Sequence, residues 1–239
     1  MKKVMKAIAA VMLMAAVVFT AGCTKPDEPN NGGGNNGGNG TYNGHDYIDL
    51  GLPSGTLWAT YNVGATTPEG YGNYFAWGET EPKEVYDGST YKWSNGYYNQ
   101  LTKYCNNASY GYNGFTDNLV LLQSGDDAAT VNWGNGWRTP TNEQWEELQN
   151  NTTSAWMTQN DVYGQVFYGN GQTLFLPVAG YRLGSELRGA GLDGYYWSSS
   201  LRTDSPNYAW VSGVDSVGCY MIGYDRFRGH SVRAVRSAQ

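Results

Sequence analysis

Apolar residues at helical spacing are rare in this chain, and that confines it to short strands and loops more firmly than any other feature. One stretch reads plainly as a helix, "TPTNEQWEELQNN" at 139–151. Thr141 is a good N-cap, Gln144 stands three residues on as in a capping box, and Trp145 and Leu148 share one face. The other patterned segments are short and bounded by Gly, Asn and Pro. "HDYIDLGLPSGTLWATYNVG" predicts two strands around the turn "LPSG". "GYGNYFAWGE" (70–79), "TLFLPVAGYR" (173–182), "GYYWSSS" (194–200), "YAWVSGV" (208–214), the Cys219 region and "SVRAVR" (231–236) predict further strands. From Thr80 to Gly136 the chain reads as loop. With 20 Tyr, 9 Trp and 33 Gly, it has aromatic bulk for a core and many places to turn. The expected class is α+β, with small twisted sheets, few helices and long loops.

The N-terminus reads as a secretory signal. Lys2, Lys3 and Lys6 precede an apolar run from Ala7 to Thr20, too short for a membrane span of roughly 20 residues. "TAGC" then ends at Cys23, in the manner of a bacterial lipoprotein, with the cysteine lipidated. The expected organisation is signal peptide 1–22, lipidated Cys23 and an Asn/Gly-rich tether over 23–41, a domain over 42–236 and a tail at 237–239. Asp27 and Glu28 resemble a surface-export signal, so the expected location is the outer membrane, facing outward, with the lipid as the only membrane contact. Loss of three lysines from 15 basic residues leaves 12 against 21 acidic ones, a net charge of about −9. That balance disfavours nucleic acid as a partner. Two histidines give no zinc spacing. Cys105 and Cys219 are free to pair outside the cytoplasm, and the sequence leaves that open.

Several motifs occur together and in order: "DLGLPSGTLWATYNVGA", "GNGWRTPTNEQWEEL", "LPVAGYR", "GYYWSSS" and "SVRAVR". As a set they resemble the Fibrobacter major paralogous domain family of bacterial surface proteins. That family is similar to the formylglycine-generating-enzyme type of C-type lectin fold. The resemblance spans most of residues 45–236. It implies a C-type lectin-like domain whose chain ends return close together, with an exposed face between "WSSS" and "SVRAVR". In some family members that segment is rewritten by a diversity-generating retroelement acting at adenines. From Leu201 to Val235 there is no Lys, Glu or Gln, types that altered asparagine codons do not readily yield. Trp210 and Met221 then read as fixed scaffold.

"CYMIGYDRFRGH" (219–230) lacks periodicity, which predicts an exposed loop ahead of a final strand. The expected ligand-binding residues are Arg202, Tyr208, Val211, Gly213, Asp215, Tyr220, Ile222, Tyr224, Asp225, Phe227, Arg228 and His230. Stiff tyrosines, adaptable glycines and a few charges form the mixture that antibody paratopes use. The function this implies is recognition of a protein or glycan on another cell, phage or host surface, without turnover, catalytic residue, metal or cofactor. The alternatives are a fixed glycan-binding module and a structural subunit of a surface assembly. An enzyme reading lacks support, because neither Cys105 nor Cys219 lies in a cysteine-oxidising motif and no GxSxG elbow is present.

Overall fold

Three dipeptides set the hairpins. Asn43-Gly44, Asn160-Asp161 and Asn170-Gly171 have positive φ at both positions. That is the geometry of the two-residue turn whose twist matches paired strands. In the computed structural model, which describes residues 39–238, the first dipeptide joins β1 (Gly40–Tyr42) to β2 (His45–Asp49). After the "LPSG" turn comes β3 (Thr56–Ala59), as the sequence predicts. A loop-rich stretch leads to α1 (Ala128–Trp133) and α2 (Asn142–Asn151). The other two dipeptides build the meander β4 (Thr153–Gln159), β5 (Val162–Gly169) and β6 (Gln172–Pro177). The chain continues through β7 (Tyr181–Leu183), β8 (Glu186–Arg188), β9 (Gly194–Leu201), β10 (Tyr208–Asp215), β11 (Gly218–Asp225) and β12 (Val235–Ser237).

The strands form small antiparallel sheets in the orders β1-β2-β3-β12, β11-β10-β9, β4-β5-β6 and β7-β8. First and last strands share a sheet: Val235 pairs with Trp58 and Arg236 with Leu57. The first strand, β1, begins at Gly40, slightly before the expected domain start at Tyr42. The signal segment, Cys23 and most of the tether lie outside the described residues. Among the described residues no helix is long and apolar enough to cross a membrane.

Three expectations need correction. "GYGNYFAWGE" is not a strand; Phe75 alone makes a bridge, to His230. Only Val235–Ser237 of the terminal segment is a strand, while Ser231 bridges Tyr196. Most consequentially, the strand expected at the Cys219 region runs on through the stretch read as an exposed loop: "GCYMIGYD" is β11, paired residue by residue with β10 from Tyr208↔Asp225 to Asp215↔Gly218. Its missing alternation has a physical cause. Apart from the exposed Tyr220, every residue of β11 is half-buried on whichever face it lies, so no apolar–polar period marks the strand.

Cross-strand pairs point the same way. Tyr195, Trp197, Ala209 and Val211 face one core, built on Trp77, Trp133 and Trp137. Tyr196, Val214, Cys219 and Met221 face a second, built on Trp58, Trp145 and Leu148. Trp58 and Trp145 are fully buried, their rings 4.7 Å apart. Truncating either to alanine costs roughly 3–5 kcal/mol. The expected capping box is present: Thr141 Oγ1 accepts from Gln144 N–H, and Gln144 reaches back to Thr141 N–H. Asp127 caps α1 and also accepts both donors of Thr139.

Candidate functional site

The sheet register divides the residues expected to bind ligand. Ala209↔Tyr224, Val211↔Ile222 and Gly213↔Tyr220 lie on one face, while Tyr208↔Asp225 and Trp210↔Gly223 lie on the other. On the first face Tyr195 continues the row, since it pairs with Gly213 across β9. Gly213 has no side chain for a reason: a Cβ there would meet the Tyr220 ring at 2.5 Å. The ring therefore lies across the strand, and Tyr220 remains 38 % exposed on the edge strand.

Behind Tyr220 is a nest of aromatic rings. Tyr195 packs edge-on against Tyr181 at 5.4 Å and against Tyr224 at 5.1 Å. Edge-to-face pairs of this kind favour a fixed geometry. The Arg228 guanidinium lies 5.0 Å from the Tyr224 ring centre and 5.5 Å from that of Tyr181, and its Nε donates to Asp225 at 3.2 Å. At the floor is His230, ringed by Trp197 at 4.4 Å and by Tyr195 and Tyr224 at 5.5 Å. Both imidazole nitrogens are buried without a partner. Burial, and then the charge of Arg228, holds its pKa well below the ordinary value, so the ring is neutral.

Tyr220 and Tyr195 are neutral too. Burial first, then the charge of Asp215, pushes the Tyr220 phenol up to about 12. Burial and then the Tyr224 hydroxyl raise that of Tyr195. At neutral pH the face therefore offers phenol donors and acceptors beside one guanidinium. Asp215 itself accepts N–H bonds from Val217 and Gly218 and closes the β10–β11 turn.

Several expected contacts are internal. Val211 and His230 are 0 % exposed and Gly213 is buried, so in this conformation they support the face and do not form its surface. The expectation that 224–230 is a freely exposed loop is likewise corrected. Phe227 is half-buried against a third core containing Tyr86 and Tyr91. Arg226 is buried, and its four donated bonds run to Tyr91 Oη and to the carbonyls of Tyr104, Pro206 and Lys103. Arg202 lies over the Trp210 ring and pairs with Asp204, with Tyr208 half-buried on the same strand as Trp210. The structure thus brings together Tyr220, Ile222, Tyr224 and Arg228, and leaves Arg202 and Tyr208 apart from them.

Tyr181 and Tyr195 were missed as site residues. The signal was present, because in "GYYW" a strand period of two places Tyr195 with Trp197 and apart from Tyr196. More exposed aromatics stand elsewhere: Tyr97, at 65 %, and Tyr98 sit in a loop closed by the Asn95 N–H to Gln100 carbonyl bond.

Cys105 and Cys219 are free thiols in different clusters, the third and second cores. Burial, then Asp215, pushes the Cys219 thiol up to about 12, and burial raises that of Cys105. Neither is a thiolate at neutral pH. Among the described residues no group of three or more His, Cys, Asp or Glu gathers as a metal site. In comparisons with known proteins, no family model, no curated protein and no solved structure matches this chain.

Proposed function

We propose that this chain is a lipid-anchored surface protein with a C-type lectin-like domain that recognises a target through the tyrosine face of β9–β11, without turnover. The observation that carries the reading is the Tyr220–Tyr224–Arg228 cluster, set on the edge strand β11 and the turn after it and backed by Tyr181, Tyr195 and a buried neutral His230. Tyrosines held by rigid packing lose little rotamer freedom on binding, and Tyr and Arg are the residues that most often dominate binding energy. The pairing of the first and last strands in one sheet, with a loop-rich insertion between β3 and α1, supports the lectin-like fold. A protein target would bury about 800 Å² on each side.

The test is the double variant Tyr220→Ala/Arg228→Ala, compared with the parent chain on glycan arrays and on bacterial and host cell surfaces. Both side chains are at least partly exposed, and Arg228 makes one ion pair that is partly open to water. The melting temperature should stay nearly constant while binding falls at least about tenfold. Tyr224→Ala is the poorer choice, because Tyr224 packs against Tyr195 and His230 and its loss also disturbs the core. Unchanged binding by the double variant refutes the reading.

A further inference from the structure

Strand β4 (Thr153–Gln159) lies at the edge of its sheet, with β5 on one side and no strand on the other. Its ladder to β5 runs unbroken from Thr153↔Tyr168 to Gln159↔Val162, without a bulge. The Val178 N–H donates to the Tyr163 carbonyl, so Tyr163 turns its backbone groups toward β6. Backbone direction alternates along an antiparallel strand. Thr158, the residue opposite Tyr163, therefore turns its N–H and C=O away from β5, and so do Trp156 and Ser154. Among the described residues no backbone group outside the hairpin bonds to them.

A free edge is normally blunted by charge, proline, a bulge, brevity or a covering segment. The sequence of β4, "TSAWMTQ", has no charge, no proline and no glycine. Trp156 and Gln159 are partly covered, and the other five residues are exposed. Other strands at sheet ends differ. β1, β7, β8 and β12 are three residues long. β6 and β9 are largely buried, and β11 contains Gly218 and Gly223 and ends at Asp225.

The strand also matches itself. In an antiparallel pairing with a two-fold axis at Trp156, the outward groups of Ser154, Trp156 and Thr158 meet those of a second copy in about six hydrogen bonds. Ser154 of one copy then faces Thr158 of the other, a hydroxyl pair, and Ala155 faces Met157, an apolar pair. Both kinds of pair suit a sheet. The two Trp156 residues meet at the axis, each ring already stacked on its own Tyr163 at 5.9 Å. The Glu69 carboxylate, held by Gln159 and Asn160, sits at the Gln159 end. The axis sets that end against the Thr153 end of the other copy, so the two carboxylates stay apart.

We infer that β4 pairs antiparallel with β4 of a second copy of this chain, joining the two β4-β5-β6 sheets into one. The inference stands apart from the reading of the tyrosine face. A stable interface buries about 800 Å² on each side, from roughly 20–30 residues. Seven residues a side make a weaker contact, which forms where copies are concentrated.

The experiment is mild oxidation of the full chain carrying both Ser154→Cys and Thr158→Cys, at about 0.5 mM protein. Opposed positions in the pairing lie about 5.5 Å apart, within disulfide reach. Positions 154 and 158 of one chain, or position 154 of two chains, lie about 14 Å apart. The double variant should form a covalent dimer, and so should an equal mixture of the two single variants. Each single variant alone should form about tenfold less or none. The native cysteines are common to every variant and cancel. Both positions are exposed, so the melting temperature should change little. Adding Met157→Lys, also exposed, sets a charged side chain against Ala155 of the other copy. It should cut cross-linking several-fold with stability unchanged. No covalent dimer from the double variant and none from the mixture would give the edge to an unlike strand and overturns the inference. Equal dimer from a single variant, or full cross-linking with Met157→Lys present, overturns it too.

Discussion

Three arginines near the C-terminus show how position decides the role of a side chain. Arg226 donates four bonds inside the protein, three of them to backbone carbonyls of distant loops. Arg226→Ala strands those acceptors, each at about 1–3 kcal/mol, so a total loss of about 3–5 kcal/mol is expected in urea unfolding. Arg228 has one partly exposed partner, Asp225, and Arg228→Ala should cost under about 1 kcal/mol. Arg233 is fully buried against Asn62 and the Ala59 carbonyl, with its pKa lowered to about 10 by burial. His230 carries a pH prediction. Its folded pKa lies below the ordinary 6.5, so below that pH the unfolded chain binds a proton that the folded one refuses. Stability is full above about pH 6.5 and falls as pH drops, by up to about 1.4 kcal/mol per unit. Arg228 adds repulsion in the same sense. His45, also lowered by burial, contributes in the same direction. Unfolding at pH 7.5 and pH 5.5 should therefore show a smaller acid loss in His230→Phe than in the parent chain. An equal loss in both places the titrating group elsewhere.

Among the elements, β11 sets the character of the candidate site. It is an edge strand, open to a partner along one side, and it carries Tyr220 on the flat seat that Gly213 leaves. Gly213→Ala should displace that ring and weaken target binding, whereas adding it to Tyr220→Ala should have little further effect on binding. A double-mutant cycle measures this coupling. The same strand shows what the sequence reveals and what it hides. The helix at 142–151 was legible because caps and faces are local signals, encoded in Thr141, Gln144, Trp145 and Leu148. Strands β2, β3, β9 and β10 were legible as short runs between turn residues. β11 was legible only at the Cys219 region, because half-burial of residues on both faces leaves no alternation to mark the rest of the strand. Strands β4 and β5 were missed although Asn160-Asp161 and Asn170-Gly171 mark the two ends of β5. α1 is too short for a helical period to register. The residue types of the tyrosine face were visible, whereas its membership was not, since Tyr181 and Tyr195 join it through pairing across strands.

For the whole molecule, the small sheets and three aromatic cores hold the C-terminal strands from both sides, which lets a few surface side chains change without loss of the fold. If a retroelement rewrites the segment, codons 201 to 236 sequenced from a population grown from one cell should vary at Tyr220, the exposed member of the face. They should spare Val211, Met221, Arg226 and His230, whose contacts are internal. Changes spread equally over buried positions contradict that placement. The central claim is that the tyrosine face is where a target docks. It is tested most directly by tyrosine-selective footprinting of the full chain, free and bound to the best target from the array and cell-surface screen. The expected result is protection of Tyr220 and Tyr224 with Tyr97 and Tyr98 unchanged. Protection of Tyr97 and Tyr98 while Tyr220 stays reactive would place the docking surface on the 95–100 loop and contradict the claim.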